Sequence, residues 1–216
     1  MIMEIVASII AKSQEELEER IAKVGFMGTI QLDIMDGKFV SNHSLDFELS
    51  LPKGHKYEAH LMVDAPGAWV KENWKKVDLI IMPIESLKGD DLVGFLKDKG
   101  KKVGLAINPE TTIRKLKPYL NRVDRVLVMT VNPGAYGAGF IPETLEKVRK
   151  LRRDNPKLDI EVDGGMKKET IMLAREAGAN FFACGSYLQD SENPKDVVDR
   201  IKASSSASPC SLRKRT

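Results

Sequence analysis

The feature that most constrains the fold of this chain is a regular alternation between short apolar runs and longer charged, amphipathic stretches. Short runs rich in Val, Ile and Leu are typical of strands, whereas apolar residues spaced three and four apart are typical of helices. The predicted strands cover residues 4–9, 29–34, 57–62, 77–82, 102–107, 123–129, 158–163 and 180–185. Eight strands with intervening helices predict an α/β fold, either a single-domain (β/α)8 TIM barrel or a doubly wound open sheet, and we favour the barrel.

Helix boundary signals agree with this pattern. Ser13 and Glu16 have the spacing of a capping box, Pro142 is expected at a helix start, and Gly178 at a helix stop. After residue 203 the composition changes to a Ser-rich segment that lacks any apolar period and ends in basic residues. We therefore expect a barrel catalytic domain over residues 1–203 and a disordered, basic tail over residues 204–216.

The charge balance narrows the class of partner. The chain has 34 basic and 31 acidic residues, and Arg213, Lys214 and Arg215 account for the whole excess of +3. A neutral body argues against nucleic acid as the main partner, because binding to a phosphate backbone depends on clustered Lys and Arg. No apolar run approaches the roughly 20 residues that span a bilayer, and there is no positively charged leader. We expect a cytoplasmic protein that binds neither membrane nor nucleic acid and acts on a small molecule.

Polar residues occupy one face of several predicted strands. Side chains alternate along a strand, so Gln31, Asp33 and Met35 share one face and the apolar residues between them share the other, which must meet the helices. In a barrel, the same parity sends further residues to the interior: Ser8, His60, Met62 and Asp163. Buried carboxylates cost free energy unless they are paired, hydrogen-bonded or metal-bound. We interpret this set as a functional site at the carboxyl ends of the strands, and Asp36, which precedes Gly37, as a turn residue.

Glycine-bearing loops follow the last three predicted strands. The segments VNPGAYGAGF, DGG and CGS come after strands six, seven and eight in turn. Loops at this position in a barrel often bind phosphate, because exposed backbone N–H groups and helix N-termini attract anions. We therefore expect a phosphorylated ligand near these loops, which contain Gly134, Gly137, Gly164, Gly165, Gly185 and Ser186.

A set of motifs links the chain to a known family. The segments LDIMDGKFV, HLMV, VLVMTVNPG, FIPETLEKVRKLR, IEVDGG and AGANFFACGS resemble, in order and spacing, those of the ribulose-phosphate 3-epimerase family, over about residues 4 to 200. The resemblance implies a (β/α)8 barrel and an isomerase of the pentose phosphate pathway. Such an enzyme interconverts D-ribulose 5-phosphate and D-xylulose 5-phosphate at carbon 3. The resemblance also implies a homo-oligomer.

The resemblance assigns roles to the polar residues. Asp33 and Asp163 would be the acid and base on opposite faces of the sugar, because epimerisation removes a proton from one face and returns one to the other. A divalent metal (zinc, iron, manganese or cobalt) would be held by Asp33, His60 and Asp163, with Gln31 at the fourth position, and would stabilise an enediolate. The implied substrate-binding residues are Ser8, Met35, His60, Met129, Gly134, Gly137, Gly164, Gly165, Gly185 and Ser186.

Several residues depart from the family pattern. Gln31 stands where the family has a histidine, Pro83 where it often has a histidine, and Ser41 where it has a proline, while Tyr136 and Ala138 alter a glycine-rich loop. Imidazole is a better ligand than an amide oxygen for zinc, iron or cobalt. We therefore expect either a weakened metal site or a metal-free variant in which the Gln31 amide donates a hydrogen bond to the enediolate.

Three functions stay open on the sequence. The first is an active epimerase, for the pentose phosphates or for another ketose phosphate. The second is a catalytically impaired sugar-phosphate-binding homologue, which the departures at Gln31 and Pro83 would fit. The third, another phosphate-binding barrel lyase or isomerase, lacks its lysine-bearing strand motifs here. Because both aspartates are present, we favour the first.

Overall fold

One closed sheet forms the centre of the protein, which we describe from a computed structural model that covers residues 3–89, 91–134 and 139–206. Its strands are β1 (Glu4–Ile9), β2 (Thr29–Asp36), β3 (His43–Ser44), β4 (Lys56–Met62), β5 (Leu79–Pro83), β6 (Lys102–Ile107), β7 (Arg125–Met129), β8 (Asp159–Asp163) and β9 (Phe181–Cys184). Their order is β1-β9-β8-β7-β6-β5-β4-β2-β3, and β1 also pairs with β2. Only β3 pairs in an antiparallel sense. The other eight strands make a closed parallel barrel, so the TIM-barrel prediction is confirmed.

Helices cover the outside of the barrel. They are α1 (Gln14–Lys23), α2 (Pro66–Asn73), α3 (Leu92–Asp98), α4 (Leu145–Asp154), α5 (Lys168–Ala177), α6 (Ser186–Gln189) and α7 (Pro194–Ser206). The predicted boundary signals act as expected. The Ser13 side chain caps α1 by accepting from the Glu16 N–H at 3.2 Å, and Gly178 ends α5 in the left-handed region at φ 113°. Pro142 begins a 3-10 turn (Pro142–Thr144) that leads into α4.

The alternation of strands and helices is incomplete at two connections. Residues 37–55, between β2 and β4, hold the short strand β3, and residues 108–124, between β6 and β7, hold a 3-10 helix (Ile113–Leu116). Both connections are described throughout, and neither contains an α-helix. Proline interrupts each of them, at Pro52 and at Pro109 and Pro118, and proline disfavours helix interiors. These connections therefore cross the outside of the barrel without a regular helix.

The barrel interior has an apolar belt and, nearer the amino ends of the strands, a charged cluster. The apolar belt consists of Leu79, Ile81, Ala106, Leu127, Met129 and Val131. Nearer the amino ends of the strands, Arg125 Nη1 lies 2.7 Å from Glu58 Oε2 and 2.9 Å from Glu161 Oε2, and the guanidinium lies 3.5 Å from the centre of the Phe181 ring. Burial, followed by the charge of Glu161, raises the pKa of Glu58 well above its ordinary value. The sequence analysis did not identify this buried cluster.

The last helix extends past the predicted domain boundary. Helix α7 runs to Ser206, so three residues of the predicted tail lie within it, and residues 207–216 lie outside the described part of the chain. The boundary at residue 203 therefore stays a prediction. Within the described residues, every helix is too short or too polar to cross a membrane.

Candidate active site

A cleft that is open to solvent lies at the carboxyl ends of the barrel strands. Asp33 and Asp163 lie at its floor, and three methionines, Met35, Met62 and Met129, form apolar walls. The glycines of the loops after β8 and β9, Gly164, Gly165 and Gly185, also line it. One cleft therefore combines two carboxylates with glycine-bearing loops.

Four polar side chains make one hydrogen-bonded group at the floor. Parallel pairing sets Asp33 beside His60, while Gln31 lies two residues earlier on the same strand as Asp33. Gln31 Nε2 donates to Asp33 Oδ1 and to Asp163 Oδ2, each at 2.8 Å. His60 Nδ1 lies 3.3 Å from Asp33 Oδ1 and 3.4 Å from Asp163 Oδ2. Side chains from three strands therefore converge on the two carboxylates, as the strand parity predicted.

Burial governs the electrostatics of this group. Desolvation and the neighbouring charge of Asp163 raise the pKa of Asp33 to about 6, against hydrogen bonds from His60 and Gln31 that lower it. Burial alone would lower the pKa of His60, but hydrogen bonds to Asp163 and Asp33 together with their charges raise it to about 10. A carboxyl group with a pKa near 6 exchanges its proton readily near neutral pH, which suits an acid–base catalyst.

The donor set at the floor fits a divalent cation. Asp33, His60 and Asp163 each offer one ligand atom, and these atoms lie within 4.8 Å of one another. Gln31 Oε1 is buried and has no hydrogen-bond partner among the described residues. Turning the amide over would exchange Oε1 with Nε2 and present an oxygen to the same place. Two carboxylates, an imidazole and an amide oxygen are a mixed N and O donor set that divalent transition metals accept.

Gly164 fits its position only because it lacks a side chain. Its φ is +112°, and a Cβ there would lie 2.3 Å from Val131 Cγ2. Val131 itself lines the cleft. The backbone after β8 can therefore approach the cleft closely, as a site for a phosphate group requires.

We expect Gly164→Ala to destabilise the protein by about 1–3 kcal/mol more than Gly54→Ala. Gly54 has nearly the same φ, +109°, but no atom lies within 4 Å of its built Cβ, so the two variants share the backbone strain and differ in the contact. Urea unfolding of both variants measures the difference. Equal losses of stability would contradict the close packing against Val131.

The structure brings most of the predicted site residues together in one cleft. Eight of the ten predicted substrate-binding residues line the cleft: Ser8, Met35, Met129, Gly134, Gly164, Gly165, Gly185 and Ser186. His60 instead lies beneath the floor, where it is 1 % exposed, and so faces the carboxylates and not the open cleft. Gly137 lies outside the described residues, as do Tyr136 and Ala138. Asp36 is the last residue of β2, and it has the structural role predicted for it, because its carboxylate accepts from the backbone of Lys38 and Phe39 in the turn that follows.

Sequence reasoning missed three polar residues that line the cleft: Arg20, Asn42 and Gln189. Arg20 on α1 and Gln189 at the end of α6 both line the cleft. Arg20 belongs to the segment EELEER, whose charges look like an ordinary solvated helix face, and Gln189 has no motif around it. Neither residue carries a sequence signal that would have identified it.

Comparisons with known proteins identify the family to which the chain is similar. Residues 4–189 match the ribulose-phosphate 3 epimerase family. The chain is 30 % identical over 211 residues to ribulose-phosphate 3-epimerase of Schizosaccharomyces pombe (93 % of this chain, 92 % of that one). It is 38 % identical over 185 residues to the cytoplasmic isoform of Oryza sativa subsp. japonica (81 % of each).

The fold of this chain is similar to that of a solved structure. The 3-keto-L-gulonate-6-phosphate decarboxylase of Vibrio cholerae superposes with a TM-score of 0.67 at 13 % identity, covering 94 % of this chain and 99 % of that one. At that identity the likeness concerns the barrel alone. The family match and the identities of 30 % and 38 % to the two epimerases lead to one conclusion: the chain belongs to the ribulose-phosphate 3-epimerase family and is an isomerase that acts on carbohydrates.

Proposed function

We propose that this enzyme interconverts D-ribulose 5-phosphate and D-xylulose 5-phosphate by moving the proton at carbon 3 through an enediolate. The observation that carries the proposal is the pair Asp33 and Asp163 in a cleft that the glycines of the loops after β8 and β9 also line. The two carboxylates come from β2 and β8, which β1 and β9 separate in the barrel. They therefore enter the cleft from different sides, which suits proton removal from one face of a sugar and return to the other.

The two aspartates exchange roles between the forward and reverse reactions. In one direction, one carboxylate takes the carbon-3 proton as a base while the other, protonated, delivers a proton to the opposite face. Gln31 donates to both carboxylates at 2.8 Å, so it orients them toward the same point. The methionine walls limit water around the intermediate, which strengthens these polar interactions.

A divalent metal belongs to the same proposal. Asp33, His60 and Asp163 would hold it, with Gln31 Oε1 as a fourth donor, and it would act as a Lewis acid that stabilises the charge of the enediolate. Without a metal, a Gln31 N–H would have to turn from one of the two carboxylates to donate to the enediolate oxygen. With or without a metal, Gln31 therefore takes part in stabilising the charge of the enediolate.

We expect Gln31→His to bind Zn²⁺ at least about tenfold more tightly than the wild type, because imidazole is the better zinc ligand. Metal analysis of the purified proteins and competition with a chromophoric chelator measure the difference without reference to turnover. Gln31→Asn keeps the amide but shortens its reach, and serves as the control. Equal zinc affinity of Gln31→His and the wild type would contradict a weakened site, and stoichiometric zinc in the purified wild type would rule out the metal-free version.

The test of the function is incorporation of solvent deuterium at carbon 3. Purified protein is incubated in D2O with each pentose phosphate and with other ketose phosphates, with and without chelator, and the products are followed by NMR. Deuterium at carbon 3 with interconversion of the two pentose phosphates is the expected result. Exchange only in a different ketose phosphate would mean that this other sugar phosphate is the substrate. Binding without any exchange would mean that the protein binds sugar phosphates but does not catalyse epimerisation.

We also propose that the enzyme forms a homo-oligomer, as the family resemblance implies. The composition of the chain favours a cytoplasmic location. Size-exclusion chromatography with light scattering measures the molar mass against the 24.1 kDa of one chain. A mass of one chain at micromolar concentration would contradict the oligomer.

A further inference from the structure

The cleft contains a single cationic side chain among the described residues that line it, that of Arg20. Its charge matters because the floor carries two carboxylates, Asp33 and Asp163, which repel an anionic ligand. A sugar phosphate is a dianion near neutral pH, so a cleft that binds it gains from a positive charge away from the carboxylates. Backbone N–H groups of the glycine loops supply only partial charges.

Arg20 is held in place by one partner on its own helix. Its Nε and Nη2 donate to the same oxygen, Glu16 Oε1, at 3.0 and 2.8 Å. These two bonds use two of the five N–H donors of a guanidinium. The Arg20 side chain is 28 % exposed and that of Glu16 is 35 % exposed. The pair is thus partly open to solvent, and Glu16 competes with any anion in the cleft for the same guanidinium.

A second, independent observation comes from Gln189. This residue lines the same cleft, is only 6 % exposed, and its Nε2 is buried without a hydrogen-bond acceptor among the described residues. A buried amide N–H without an acceptor is costly, and an anionic oxygen would supply one. Lys23, three residues after Arg20 on α1, donates to the backbone oxygen of Gln189 and so joins α1 to α6.

We propose that Arg20 binds the phosphate group of the substrate, with the Gln189 amide as a neighbouring donor, and so adds a side-chain charge to the glycine-rich phosphate site. The identity of the ligand as a ketose phosphate rests on the proposed function. Arg20 reaches the cleft from α1, which the Lys23 hydrogen bond joins to α6, so the phosphate site extends beyond the loops that follow the barrel strands. Glu16 acts as an internal counter-ion that the phosphate displaces in part.

The test compares three variants by calorimetric titration with inorganic phosphate and by steady-state kinetics. Arg20→Met is expected to weaken phosphate binding about tenfold, because a charge-assisted hydrogen bond is lost, and to raise KM while kcat changes little. Glu16→Gln keeps Arg20 charged and removes its competitor, so it is expected to tighten phosphate binding about twofold to fourfold. Arg149→Met removes an equivalent arginine, paired with Glu146 on α4 outside the cleft, and should leave phosphate binding unchanged.

The opposite signs for Arg20→Met and Glu16→Gln separate phosphate binding from a merely structural ion pair, which both changes would break alike. Wild-type phosphate affinity in Arg20→Met, or equal weakening in Arg20→Met and Arg149→Met, would overturn the proposal. If Arg20→Met does not fold, tighter binding in Glu16→Gln supports the proposal and unchanged binding overturns it. Inorganic phosphate needs no turnover, so a failed deuterium-exchange assay with weakened phosphate binding in Arg20→Met would reject the epimerase and keep the phosphate role.

Discussion

Replacing Asp33 or Asp163 by asparagine is expected to lower epimerisation by about 10²–10⁴-fold, the usual contribution of a general acid or base. Each variant should still exchange the carbon-3 proton of one epimer with solvent, and the two variants should do so with opposite epimers. In the proposed mechanism the reason is geometric, because the carboxylate that remains would face only one side of carbon 3. It can remove and return a proton on that side without inverting the carbon.

Deuterium incorporation into each pure epimer, followed by NMR, measures this asymmetry. Asp64→Asn is the matched control, because Asp64 follows β4 at the same end of the barrel but is paired with Lys88 in an exposed position. The metal content of each variant is measured in parallel, since both aspartates are also candidate metal ligands. If both variants lost exchange with both epimers at unchanged metal content, the two-base mechanism would be contradicted. Wild-type turnover in either variant would show that the replaced aspartate is not a catalytic acid or base.

Arg125→Met is expected to destabilise the protein by about 3–5 kcal/mol, because it leaves the buried Glu58 and Glu161 without the cation that pairs with them. Glu58 and Glu161 are 2 % and 0 % exposed, and each has one oxygen with no hydrogen-bond partner among the described residues. The guanidinium also loses its contact with the ring of Phe181. For a chain of this size the melting temperature should fall by roughly 6–20 °C. Urea unfolding and thermal scans measure both quantities.

Two further variants separate charge from packing. Arg122→Met removes an exposed arginine that pairs with Asp91, and should change the unfolding free energy by less than about 1 kcal/mol. Combining Arg125→Met with Glu58→Gln and Glu161→Gln removes every buried charge of the cluster, and should recover most of the lost stability. If Arg125→Met were as stable as Arg122→Met, Glu58 and Glu161 would not depend on a buried cation, which would mean that water reaches them. A combined variant no better than Arg125→Met would assign the loss to packing.

The strands, their inward faces and the residues on them were predictable because their signals are local. Period-two alternation predicted that Asp33 shares a face with Gln31, and the first and fifth barrel strands, β1 and β6, have the predicted bounds. Glycine after β8 and β9 predicted part of the lining of the cleft in the same way. In each case the relevant information lies within a few residues along the chain, where backbone geometry alone sets which side chains share a face.

The tertiary structure decided what depends on residues far apart in the chain. Gln31 and Asp163 are 132 positions apart, and only closure of the barrel brings the amide within 2.8 Å of that carboxylate. Arg20 reaches the cleft from an outer helix, and Arg125 meets Glu58 and Glu161 inside the barrel. The amino-acid sequence therefore determined the barrel strands and the inward position of the two aspartates. The hydrogen bonds of Gln31, the charge of Arg20 in the cleft and the buried ion cluster required the closed fold, because side-chain contacts between distant segments have no periodicity along the chain.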